Sequence, residues 1–138
     1  HLQDFAVMRF WRSLCLTQFL VLLIIFTFLG LTGDPGNYAP MFNDKLMHCS
    51  GYIVAGISIS FALPLWKLWW RAAFLILFSL GIEIGQHFLP PRTFDLYDLC
   101  ANSTGVMLGL CFVAWMTQQA NWFRSLRFLN TNTNQGQL

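Results

Sequence analysis

An all-α polytopic membrane protein, built as a bundle of four transmembrane helices with both termini cytoplasmic, is predicted by three observations. The 138 residues are 56% hydrophobic and only 10% charged, where a soluble domain carries roughly 25% charged residues. The charges gather in short intervals separated by long apolar runs. Those runs are continuous rather than alternating with period 2, which favours helices over the strands of a membrane barrel. With 14 Phe and 6 Trp the chain is too apolar to remain disordered. A net charge of +2 excludes nucleic acid as an expected partner.

Each charge-free interval is long enough for one crossing, since the hydrocarbon core takes about 20 apolar residues of helix. The intervals run from Arg12 to Asp34, Lys45 to Lys67, Arg71 to Arg92 (broken only by Glu83) and Asp98 to Arg124. They place spans at about 13–32, 46–66, 72–89 and 98–122 of one domain, residues 1–129. Residues 130–138, polar throughout apart from Leu138, read as a disordered tail. The apolar stretch Leu14 to Leu31 exceeds the roughly 7–15 residues of a secretory leader and is read as a span. Thr32-Gly33-Asp34-Pro35-Gly36-Asn37 and Pro90-Pro91 are turn chemistry. Trp66, Trp69 and Trp70 mark an interfacial hairpin between the second and third spans. Arg9, Arg12, Lys67, Arg71, Arg124 and Arg127 all fall on one side. The positive-inside rule makes that side cytoplasmic and the acidic loops external.

The residues that are costly in a membrane are grouped. Asp44, His48 and Tyr52 recur at i, i+4, i+8 on the second span, with Gly51, Ala55 and Gly56 nearby to let a helix approach. Glu83, Gln86 and His87 share the outer half of the third span. Asp95, Asp98 and Asn102 open the fourth, followed by Gly105 and Gly109, and Arg92 lies in the loop between. All three polar faces are expected at one level near the outer leaflet. Simpler roles compete. The aspartates would serve as helix caps, Tyr52 as an interfacial anchor, Asn102 and Gln86 as interhelical glue, and Arg92 as a clamp on Asp95 or Glu83. Glu83 resists such a reading, because a lone carboxylate inside a span costs several kcal/mol. It requires a partner or a water-filled cavity, with His48, Arg92 and Lys45 the candidates.

At these residues the chain resembles the VanZ-like family of small membrane proteins. The carrying segments are Asp44-Lys45-Leu46-Met47-His48-Cys49-Ser50-Gly51-Tyr52, Glu83-Ile84-Gly85-Gln86, Pro91-Arg92-Thr93-Phe94-Asp95 and Asp98-Leu99-Cys100-Ala101-Asn102 with Gly105 and Gly109. His87 departs from the pattern. The resemblance implies a multi-pass protein of the bacterial cytoplasmic membrane, its functional face towards the periplasm or exterior, in a family whose founding member is linked to teicoplanin resistance. It implies a location and a phenotype rather than a reaction.

Two chemistries fit the outer cluster. In one, a membrane lipid headgroup or lipid-linked envelope precursor is bound, with Lys45 and Arg92 at phosphate, Tyr52, Gln86 and Asn102 as hydrogen-bonding groups, and Asp44 and Asp95 completing the ligand-binding set. In the other, the protein is a hydrolase or transferase acting on a lipid-linked phosphate: His48 is the general base, Glu83 or Asp98 orients it, and Arg92 stabilises developing charge. No Gly-x-Ser-x-Gly motif supports the second. Asp44, His48, Glu83 and Asp98 would be the ligands of a metal, but neither His-Glu-x-x-His nor paired cysteines are present, so no metal or cofactor is expected. Below the cluster the third span is apolar apart from Ser79, which argues against an ion path. Cys15, Cys49, Cys100 and Cys111 are expected as free thiols. Gly105-x-x-x-Gly109 would pack within the bundle or against a second copy.

Overall fold

A computed structural model describes residues 2–32, 41–90 and 93–135. Arg92 of the expected ligand set, the turn at residues 33–37 and Pro91 lie outside the described residues. Four helices follow in chain order, α1 (Leu2–Leu31), α2 (Met41–Ala62), α3 (Leu68–His87) and α4 (Leu96–Gln135), and no strand occurs among the described residues.

Three stretches are long and apolar enough to cross a membrane: Ala6–Leu31, Leu68–His87 and Leu96–Ser125. They fit a multi-pass membrane protein. The second expected span falls on α2, which is not among the three. Its N-terminal half carries Asp44, Lys45 and His48, and serines interrupt the remainder. The helices also outrun the expected spans. The charges at Arg9 and Arg12 bound an apolar run, not a helix, and α1 continues through both. Likewise α4 extends to Gln135, through residues 130–135 of the expected polar tail.

The polar helix is the central one. α2 packs against α1, α3 and α4, most extensively against α4, whereas α1 and α4 do not meet among the described residues. Phe19, Tyr52, Ala55, Ile59, Ala72, Leu75, Val106 and Leu110 form the shared core. Phe10, Trp11, Ile24, Phe28, Leu77, Leu108 and Phe112 point outward and are exposed, an apolar exterior that a bilayer accommodates far better than water.

The α2–α4 contact is close because its facing residues lack side chains. A Cβ on Gly105 would overlap the carbonyl oxygen of Cys49, and one on Gly109 that of Ile53. Gly56 answers from α2, where an added Cβ would lie 2.8 Å from the Val106 carbonyl oxygen. The glycine pair is thus consumed within the chain. This seam sets the register that brings the first turns of α2 and α4 side by side.

Two tight connections complete the frame. Leu63 N–H donates to the Ile59 carbonyl at 2.9 Å and Trp66 N–H to Leu63 at 3.1 Å. Pro64 ends α2, having no amide hydrogen to continue the ladder, and Arg71 Nη2 donates to its carbonyl at 2.7 Å. At the other end Asp95 accepts from the Tyr97 amide at 2.7 Å through Oδ1, an N-cap on α4.

Candidate functional site at one end of the helix assembly

The end of α1, the start of α2, the end of α3 and the start of α4 meet at the same end of the molecule, and the polar side chains converge there. Arg9 and Arg12, and also Lys67 and Arg71, belong to the opposite end.

Lys45 Nζ, on the first turn of α2, donates to Asp95 Oδ2 and Asp98 Oδ1 of α4. Both carboxylates are therefore held by one ammonium. That contact keeps the Asp95 carboxyl below its ordinary value of 3.8, the hydrogen bond from Lys45 being the main cause.

One turn further along α2, His48 Nδ1 lies 3.0 Å from Asn102 Oδ1. Asn102 Nδ2 donates to Ser79 Oγ at 2.7 Å. With its amide group so committed, Asn102 offers only an acceptor to the ring, so Nδ1 of His48 carries the proton. In the neutral ring Nε2 then presents a lone pair. That nitrogen is 3.8 Å from Asp44 Oδ1 and 3.9 Å from Asp98 Oδ2.

Glu83 is 1% exposed. Its Oε2 accepts a long contact, 3.4 Å, from the Asp95 amide, and its Oε1 has no partner among the described residues. Gln86, one turn on, is buried and donates from Nε2 to the Gly30 carbonyl at 2.9 Å, tying α3 to α1. Tyr52 is buried rather than interfacial, its ring 5.4 Å from that of Phe26.

These side chains border a cavity of about 220 Å³ among the four helices. Asp44, His48, Glu83, Gln86, Asn102 and Tyr52 make one part of its wall, while Phe26, Leu29, Met47 and Ile82 make the other. Of the expected set, Lys45, Asp95 and Asp98 sit beside it as an ion-paired rim. His87 is exposed against Phe88, ring centroids 5.5 Å apart, and does not line the cavity. All four cysteines are unbridged.

Two polar contacts escaped the sequence reading. Ser79 is fully buried and anchors Asn102. Its position four residues before Glu83 was the available signal, since the two share a helix face. Ser58 Oγ donates to Gln18 Oε1 at 2.7 Å, joining α2 to α1 away from the cluster. Neither residue belongs to a charged pattern, and isolated hydroxyls in apolar runs are common.

Comparison with known proteins gives two likenesses. A family model described as VanZ/LLP1 matches residues 5–117. The uncharacterized protein C11E3.10 of Schizosaccharomyces pombe is 35% identical over 105 residues, which are 72% of this chain and 62% of that protein. The chain therefore spans less than two thirds of that relative. No solved structure matches.

Proposed function

Because the chain belongs to the VanZ/LLP1 family, we propose that it crosses the membrane four times and binds the polar head of a membrane lipid or lipid-linked envelope precursor. The observation that carries this reading is the two-sided wall of the 220 Å³ cavity, carboxylate, imidazole and amide on one part and Phe26, Leu29, Met47 and Ile82 on the other. An amphipathic ligand satisfies both parts at once. In this arrangement α2 crosses as the fourth span, its polar residues shielded by the three helices around it. The basic ends face the cytoplasm, with the cavity near the opposite leaflet. Lys45 orders Asp95 and Asp98 rather than meeting phosphate, because both carboxylates already claim its charge. An envelope role in a bacterial membrane, and the resistance phenotype that goes with it, would follow from occupancy of this cavity.

A second reading, turnover of a lipid-linked phosphate, is favoured by one observation. The Ser79–Asn102–His48 chain leaves His48 Nε2 as an available base.

Native mass spectrometry of the detergent-purified chain, incubated with phosphatidylethanolamine, phosphatidylglycerol or a polyprenyl phosphate, tests both. One of these lipids is retained by the wild type and lost in Met47→Trp, which fills the apolar end of the cavity, and in His48→Ala. Product formation that disappears in His48→Ala and Glu83→Gln would favour turnover instead. Retention unchanged in both Met47→Trp and His48→Ala would exclude the cavity as the lipid site.

A further inference from the structure

We propose that Asp44, His48 and Asp98 form a binding site for a transition-metal dication of the Zn²⁺ or Mn²⁺ kind. The three residues offer His48 Nε2 and one carboxylate oxygen each, all within 4.8 Å of one another. An ion about 2.1 Å from each atom would draw them to roughly 3.0–3.5 Å apart. That is a closure of less than about 1 Å for His48 against either carboxylate, now 3.8 and 3.9 Å away, and of at most about 2 Å between the two carboxylates, whose oxygens lie within 4.8 Å of each other. Asp44 and His48 stand one turn apart on α2, so their side chains leave the same helix face. Asp98 reaches them because the glycine seam brings α4 against α2.

Acidic residues near a histidine are common without an ion, and two further features distinguish this group. The first is the outer hydrogen-bonding shell. A metal-bound imidazole usually donates its second N–H to a fixed acceptor, which sets the tautomer. Here Asn102 is that acceptor and Ser79 fixes it in turn. The second is Glu83, which lines the same cavity as Asp44 and His48. It is buried, with Oε1 lacking a partner among the described residues. A buried carboxyl oxygen left without a partner is costly, and a bound cation or its water offsets that cost. One nitrogen with two carboxylates suits zinc or manganese better than calcium or magnesium, which take all-oxygen shells. Ion binding needs only these side chains and is independent of whether a lipid enters the cavity.

The test is a calorimetric titration of the full chain with Zn²⁺ and Mn²⁺ in lipid-free detergent, after chelator treatment and desalting. One ion binds per chain. Asp44→Asn, which breaks no hydrogen bond among the described residues, weakens it at least tenfold. Asn102→Leu, which leaves all three ligands in place, weakens it by about 10–100-fold, the range typical of second-shell loss. His87→Ala, at the exposed histidine, leaves it unchanged. Wild-type protein that takes up neither ion overturns the site, as does undiminished binding in a folded Asp44→Asn chain.

Discussion

At position 83 a carboxylate is 1% exposed, and one of its oxygens finds no hydrogen bond among the described residues. An unsatisfied buried polar group costs about 1–3 kcal/mol, and more when charged. The only hydrogen bond that offsets it among the described residues is the long 3.4 Å contact from the Asp95 amide to Oε2. On the proposed function, Glu83 serves a ligand rather than stability. Glu83→Leu should therefore stabilise the ligand-free protein by about 1–3 kcal/mol in detergent melts, while abolishing lipid retention and weakening, without abolishing, ion binding. A purely structural Glu83 would give the opposite result, a loss of stability. The suspicion of Glu83 was legible in the sequence from its position within an apolar run. The pairing of Lys45 with Asp98 was not, because it depends on how far α4 slides along α2. Single-helix periodicity carries no information about that offset.

The offset is decided by the helix seam. Gly105 and Gly109 approach the backbone carbonyls of Cys49 and Ile53 so closely that even a methyl group must force the helices apart. Backbone cannot yield as a flexible side chain does, so Gly105→Ala should destabilise by about 1–3 kcal/mol, the usual cost of overpacking. It should also loosen the site, since Lys45 and His48 reach α4 across the same interface. Gly81, with nothing within 4 Å of an added Cβ, is the control: Gly81→Ala should be neutral or stabilising by up to about 1 kcal/mol. Thermal melts of the two variants check both signs. At this scale the number and order of helices were readable from the charge-free runs, but their ends were not. Charged residues mark where apolar surface stops, and a helix continues as long as its backbone ladder is unbroken. That is why α1 passes through Arg9 and Arg12 and α4 runs to Gln135.

For the molecule as a whole, the arrangement follows from placing in the middle the one helix, among the described residues, without a long apolar run. α2 meets the other three helices, so its aspartate, lysine and histidine are half-buried while apolar side chains of all four helices cover the exterior. The convergence of three polar faces at one end was legible from spacing and helix alternation alone. The division of labour within it was not: which groups face the cavity, which form an ion-paired rim, and which, like His87, turn away. These depend on helix rotation, fixed by packing that no local pattern encodes. The proposed function requires that side chains from α2, α3 and α4 border a common ligand space. A high-resolution structure of the chain in lipid nanodiscs tests it most directly. It should place density for a headgroup or an ion between Asp44, His48 and Glu83, with His48 Nδ1 still bonded to Asn102. A structure in which Glu83 faces acyl chains and His48 lies beyond hydrogen-bond reach of Asn102 would contradict it.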